Sequence, residues 1–233
     1  MLITKENAKQ ELTTLNCCVI IPSYNNEKTI GKVISDVLEY SKHVIVVNDG
    51  ATDNTPKIIA SFSKSVTTIG YQQNVGKGNA LKTGFQEALK QGFHYAITID
   101  SDAQHYADDI PNFIEALQEN PNSLLMGSRN MEEEGIPQKS SLGNKFSNFW
   151  VKLQTGNTLP DTQTGYRLYP LKEVEKLTLF TTKFEFEIEV LVKLAWKNVP
   201  VIPINIKVKY DPDERVTHFR PWQDFTRISL LNT

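Results

Sequence analysis

Short apolar runs alternate with helical stripes through the first half of the chain, and no other feature restricts its fold as much. Cys18-Val19-Ile20-Ile21-Pro22 is a buried-strand signal, after which Ile30, Val33, Ile34, Val37 and Leu38 recur at helical spacing. Val44-Ile45-Val46-Val47 repeats the strand, and a helix-capable segment opens near Thr55-Pro56, where threonine caps and proline takes the first position. Val66 to Ile69 leads through a glycine-rich loop into the stripe Leu81, Gly84, Phe85, Ala88 and Leu89, and Tyr95 to Ile99 forms a fourth strand. This alternation predicts an α/β chain with a doubly wound, mostly parallel sheet flanked by helices. Ligands of such sheets sit beyond the carboxyl ends of the strands, so the loops that follow the strands are where chemistry is expected.

After Asp109 the rhythm continues with the stripe Ile110, Phe113, Ile114 and Leu117 and a strand at Leu124-Leu125-Met126. Residues 130–145 then read as a loop, with Glu132-Glu133-Glu134 as a solvated acidic run. Phe146, Phe149, Trp150 and Leu153 predict one more helix, Ile188, Leu191 and Ala195 another, and Ile202, Ile204, Ile206, Val208 and Tyr210 alternate as a half-buried strand. The expected layout is an N-terminal extension over 1–16, a single domain over 17–210 and a tail over 211–233. The 233 residues, 39% hydrophobic with a formal net charge of −2, suffice for one substantial core and offer no broad basic field for nucleic acid. The polar first sixteen residues lack a secretory signal, and no apolar stretch approaches the about 20 residues of a membrane span. The expected location is therefore the cytoplasm or the cytosolic face of a membrane. Cys17 and Cys18 are neighbours on a strand, point to opposite faces and are not expected to bridge.

The strand ends carry Pro22-Ser23-Tyr24-Asn25-Asn26-Glu27, Asn48-Asp49-Gly50, Asn74-Val75-Gly76-Lys77-Gly78 and Asp100-Ser101-Asp102-Ala103-Gln104. Asp100 and Asp102 are the sharpest signal, because two carboxylates so close in a dry crevice repel each other unless a cation lies between them. Mg2+ or Mn2+ suits these oxygens, with the amide oxygen of Gln104, a diphosphate and water to complete the shell. The alternative is that Asp-Ser-Asp merely caps the following segment. Gly76-Lys77-Gly78 is either a phosphate cradle at a helix start or an ordinary loop. It lacks both the spacing and the Ser or Thr of a P-loop, and Leu81 stands where a dinucleotide fingerprint needs glycine. Asp49 has a turn reading of its own, since Asn-Asp-Gly is strong turn chemistry.

Taken in order, these segments, with Val46-Val47-Asn48-Asp49-Gly50-Ala51-Thr52-Asp53-Asn54-Thr55 and Asp100-Ser101-Asp102-Ala103-Gln104-His105, resemble the motifs of family 2 glycosyltransferases. The branch most resembled is that of the dolichyl- or polyprenyl-phosphate mannosyltransferases, and the likeness spans roughly residues 17–210. The resemblance implies a GT-A fold, a nucleotide-sugar donor, inversion at the anomeric carbon, and a division into a nucleotide-sugar-binding half (17–107) and an acceptor half (108–210). It places Pro22, Tyr24 and Glu27 around the nucleoside, Asp49 as acceptor from the base, Lys77 near the diphosphate, and the metal on Asp100, Asp102 and Gln104. It also implies that Arg129 faces phosphate, as suits a planar fork of donors; the alternative is a salt bridge. Asp161-Thr162-Gln163-Thr164-Gly165-Tyr166-Arg167 resembles the segment behind the reacting sugar, with Asp161 as base, acceptor-orienting group or turn residue, and Arg167 toward acceptor or phosphate.

Two departures bear on specificity. Asn48 stands where many relatives have Asp, and Asp213 to Pro221 replaces the usual Gly- and Lys-containing acceptor loop, although Arg215 keeps the place of a phosphate-facing arginine. Arg215, His218 and Arg220 either close over an anionic head group or form a solvated tail. The amphipathic end, with Trp222, Phe225, Ile228 and Leu231, either touches a membrane peripherally or docks on the domain. The expected activity is transfer of a sugar from GDP-mannose or a UDP-hexose to a polyprenyl phosphate or another lipid-linked or cell-envelope glycan acceptor. The alternatives are a sugar nucleotidyltransferase on the same fold and a non-catalytic nucleotide-sugar binding module.

Overall fold

The computed structural model describes residues 3–129 and 138–209, the side chains of 138–143, 145 and 146 excepted. Along the chain the elements are α1 (Lys5–Thr14), β1 (Cys17–Ser23), α2 (Ile30–Leu38), β2 (Val44–Asp49), α3 (Thr55–Ser61), β3 (Thr67–Tyr71), α4 (Lys77–Lys90) and β4 (Tyr95–Thr98). They continue through α5 (Ile110–Glu119), β5 (Leu124–Arg129), α6 (Gln138–Thr155), β6 (Arg167–Pro170), α7 (Leu171–Glu175), α8 (Glu185–Trp196) and β7 (Val201–Ile206). The seven strands form one sheet in the order β3-β2-β1-β4-β6-β5-β7, parallel except for β6.

The doubly wound arrangement is visible in β1, every residue of which is buried. Cys17, Val19 and Ile21 join the core beneath α1, α2 and α5, whereas Cys18 and Ile20 join the core beneath α4 and α8. A strand with both faces covered has no polar side to alternate, which is why it reads as a continuous apolar run. Among the described residues no helix is long and apolar enough to cross a membrane.

The structure departs from the sequence expectation in four places. The segment expected to be an extension contains α1, capped by Thr4, whose hydroxyl accepts the Asn7 N–H, and its Ala8 and Leu12 are wholly buried in the core. Its apolar stripe is only one or two residues wide, too narrow to register as periodicity. Residues 138–145, expected in a loop, belong to α6; Glu132-Glu133-Glu134 lie outside the described residues. The last strand ends at Ile206, with Val208 making an antiparallel bridge to His105, and Tyr210 is outside the described residues.

The fourth departure shapes the rim. Strand β6 inserts antiparallel between β4 and β5, pairing Thr98 with Arg167. Because it runs backwards, its amino end meets the carboxyl end of β4, and the Thr98 hydroxyl donates to the Gly165 carbonyl at 2.7 Å. The acidic motif after β4 is thereby set against the Thr164-Gly165-Tyr166 backbone.

Candidate active site

Strand periodicity carried one step past β4 sorts the acidic motif. Ser101 turns inward, 5% exposed, and donates to the Asn26 side-chain oxygen at 2.9 Å, while its carbonyl accepts from the Thr29 hydroxyl at 2.7 Å. Asp100 and Asp102, two apart, are left on the other side. Asn26 in turn donates its N–H to the Thr55 hydroxyl at 2.8 Å, so the loops after β1, β2 and β4 are tied into one unit. Sequence reading gave Asn26 and Ser101 no role, although a serine between two acids and an Asn-Asn pair after a strand are the hydrogen-bonding types such a knot needs.

The Asp100 carboxylate pairs with the Lys77 ammonium at 2.6 Å, and the same ammonium lies 3.1 Å from Glu187. Burial works against the charge on Lys77, but Asp100 and Glu187 outweigh it and hold the amine protonated. Asp100 is likewise buried, yet the Lys77 charge keeps its carboxyl below the ordinary carboxylate range. Asp102 has no such partner among the described residues: burial, reinforced by the charge of Asp100, pushes its carboxyl up to about 6, opposed by the Gln104 N–H at 3.1 Å. Gly165 admits this cluster, because a Cβ there would meet the Asp100 carboxylate and lie 2.6 Å from the Lys77 amine. His105, beside the motif, is pushed down to about 4 by burial and stays neutral, its ring 5.3 Å from that of Tyr166.

Asp100 and Asp102 present hard oxygen donors in one crevice, where burial and the charge of Asp100 disfavour a second ionised carboxylate. That donor set fits Mg2+ or Mn2+, which bind through one or two carboxylates and take the rest of their shell from phosphate and water. Among the described residues no three His, Cys, Asp or Glu side chains converge as a protein-only cage. Gln104 stands two residues after Asp102, half-buried, with its backbone carbonyl accepting the Lys209 N–H at 2.9 Å.

Several of the expected donor-side residues also hold their own loops in place. Asp49, 2% exposed, accepts from the Val75 N–H at 2.8 Å, the Gly76 N–H at 2.9 Å and the Asn74 side chain at 2.9 Å. It latches the loop before α4. The glycines of that loop serve packing: Gly76 has φ +116°, and a Cβ on Gly78 would strike Phe186 and the Lys183 carbonyl. The Asn79 N–H donates to the Thr182 carbonyl at 2.9 Å, tying this helix start to the segment before α8. Glu27 clamps the neighbouring loop, accepting the Asn54 N–H at 2.9 Å. Pro22 is a buried residue of β1, and Tyr24 stands half-buried just beyond the strand end.

Arg167 corrects the sequence expectation most directly. It is wholly buried, and its guanidinium donates to the carbonyls of Thr164 at 2.7 Å, Glu187 at 2.7 Å and Thr162 at 2.9 Å. It fixes the 162–167 segment against α8 and does not face a ligand. Arg215 and His218 lie outside the described residues.

Arg129 and Asp161 form a bidentate pair at 2.5 and 3.0 Å, with the Asp161 side chain fully buried. Burial resists ionisation of Asp161, but the bonds and charge of Arg129, with the Gln163 N–H, hold the carboxyl below its ordinary value. A carboxylate so stabilised is a poor proton acceptor, which counts against the role of base. Its loop is held from α6, where Asn144 and Asn148 donate to the Pro160 carbonyl at 3.0 and 2.9 Å.

Glu187 had no place in the sequence reading. A signal was present: Glu185, Glu187 and Glu189 alternate with Phe186 and Ile188 at the start of α8, and all three acids are buried. A solvated helix face does not recur every second residue.

A family model described as Glycosyl transferase family 2 matches residues 18–177. The UDP-N-acetylglucosamine–dolichyl-phosphate N-acetylglucosaminyltransferase of Methanococcus voltae is 29% identical over 213 residues, covering 82% of this chain and 85% of that protein. The dolichyl-phosphate beta-glucosyltransferase of Dictyostelium discoideum is 23% identical over 224 residues, covering 85% of this chain and 68% of that protein. Among solved structures, glucosyl-3-phosphoglycerate synthase from Mycobacterium tuberculosis, in complex with Mn2+, UDP and phosphoglyceric acid, matches with a TM-score of 0.72 at 18% identity, covering 97% of this chain and 79% of that one. The seven-stranded sheet and its flanking helices are of the GT-A type.

Proposed function

The chain belongs to glycosyl transferase family 2, and from that premise we propose that it transfers a hexose, with inversion, from a UDP-linked donor to the phosphate of a polyprenyl-type lipid, with Mg2+ or Mn2+ on Asp100 and Asp102. The observation that carries the acceptor is the Arg129–Asp161 pair, which leaves the expected base ionised and held at both oxygens. A sugar hydroxyl needs its proton removed; a phosphate monoester, with a second pKa of about 6, is already largely anionic at neutral pH. The relatives named for dolichyl phosphate support the same acceptor, and the UDP in one relative's name and in the matched solved structure supports the donor.

Bound to the two carboxylates, the metal would supply positive charge against the departing diphosphate. The protein's own contribution is positioning. The Ser101–Asn26–Thr55 knot fixes the donor-side loops, Lys77 adds a held positive charge, and Arg129 holds Asp161 and its loop in place. Peripheral membrane contact belongs to the same proposal, since a polyprenyl chain keeps its phosphate at the bilayer surface.

Incubation with UDP-glucose, UDP-N-acetylglucosamine or GDP-mannose, Mn2+ and a polyprenyl phosphate tests the reading. Release of nucleoside diphosphate with a glycolipid product is the expected result. Pyrophosphate release from a nucleoside triphosphate and a sugar phosphate would replace it with nucleotidyl transfer, and tight donor binding without turnover on any acceptor would leave a binding module.

A further inference from the structure

Resting on the metal reading above, we infer that Lys77 is a resident counter-ion of Asp100, and that Glu187 is the positioning residue that receives its ammonium when a divalent cation takes Asp100. The ammonium already lies between the two acids, 2.6 Å from Asp100 and 3.1 Å from Glu187. Glu187 is 6% exposed, and its second oxygen, Oε1, is buried without a hydrogen-bond partner among the described residues. A desolvated acceptor beside a three-donor cation is a prepared place for a further N–H.

The frame around the two residues is rigid. Gly78 packs against Phe186, the Asn79 N–H donates to Thr182 at 2.9 Å, and the Arg167 guanidinium grips the Glu187 carbonyl at 2.7 Å. The starts of α4 and α8 are therefore fixed against each other, and only the lysine side chain has to shift. On the other side, Gly165 carries no side chain to obstruct the space beside Asp100 and Lys77. An ammonium with a single partner would hold Asp100 more tightly and compete with an incoming cation. A second carboxylate lowers that competition and keeps the lysine charge inside the crevice, available to a diphosphate.

Mn2+ binding to the full chain without nucleotide, followed by the electron paramagnetic resonance signal of free Mn2+, tests this. The expected results are that Glu187→Gln weakens Mn2+ binding about tenfold, that Lys77→Met tightens it, and that adding Glu187→Gln to Lys77→Met changes it by less than about twofold. Lys77→Gln serves as a second background, and near-UV circular dichroism confirms that each variant is folded. Turnover lost in Glu187→Gln should return at saturating Mn2+, which a merely structural defect would not allow. Equal weakening by Glu187→Gln with and without Lys77 would mean that the acid acts through its field alone, and would overturn the inference. Wild-type binding no tighter than that of Asp102→Asn would remove the metal site itself, and the inference with it.

Discussion

Arg129 and Asp161 form a bidentate pair, the guanidinium reaching both carboxylate oxygens. Elsewhere on the rim, among the described residues, the Lys77 ammonium pairs with both Asp100 and Glu187, and Asp102 lies beside them with no ion pair of its own. The consequences differ. The bidentate pair holds Asp161 below its ordinary value, whereas in the Lys77 cluster Asp102 is pushed up to about 6. The first arrangement satisfies its carboxylate from within the protein; in the second, the carboxylates outnumber the cations among the described residues, which is the setting a divalent ion suits. Both arrangements contain acids at strand or loop ends, so it is the partner rather than the residue type that separates scaffold from binding site.

Four changes sharpen or break that contrast. The largest effect is expected from Asp102→Asn, which removes a metal ligand while keeping its shape: Mn2+-dependent release of nucleoside diphosphate should fall by about 10³-fold or more. Undiminished turnover would take the metal out of the mechanism. Next, Asp161→Asn removes the buried carboxylate that Arg129 holds through two bonds and should cost about 3 kcal/mol of stability, read as a fall in Tm of several degrees. The folded fraction should keep a pH–rate profile of unchanged shape. Loss of one limb would instead identify Asp161 as the base.

Gly165→Ala places a methyl group against the Asp100 carboxylate and the Lys77 amine. Overpacking of this kind should weaken donor binding about tenfold, with a smaller loss of Tm. A variant with unaltered donor affinity would place the donor elsewhere.

The smallest effect concerns the metal-free protein. Because the Asp102 carboxyl is raised in the fold from 3.8 to about 6, its protonated form favours the folded state. Its contribution is therefore most favourable below pH 3.8 and is lost as pH rises through about 6. At pH 7 without metal, Asp102→Asn should thus raise Tm by about 2 °C while abolishing activity. A lowered Tm would show that the cluster already carries its full complement of charge. With metal present the sign reverses: Mn2+ affinity should drop as pH falls below about 6, where proton and ion compete for the same carboxyl.

The parallel half of the sheet was legible because buried strands leave continuous apolar runs: β1 is buried throughout, and β2 and β4 at all but one residue each. Strand β6 was not. It is four residues long, opens on Arg167 and ends on Pro170, and is held by neighbours on both sides rather than by any period of its own. Helix α1 was missed for a related reason, since Ala8 and Leu12 supply its buried face almost alone. At the site, residue types showed where chemistry gathers but not what each group faces. Asp49 and Glu27 resemble Asp100 in sequence context, yet the first latches the loop before α4 and the second clamps the Asn54 loop. Arg167 looked like a phosphate ligand until its three bonds to backbone carbonyls were seen. Such assignments depend on contacts between segments far apart in the chain, which neither periodicity nor motif spacing contains.

Calorimetric titration of UDP into the full chain, once with Mn2+ and once with EDTA, tests most directly whether the uncompensated carboxylates are a shared cation site. UDP should bind at least about tenfold more tightly with the metal, because ion and diphosphate complete each other's coordination, and Asp102→Asn should erase the difference. Equal affinity with and without Mn2+ in the wild-type protein would contradict the account.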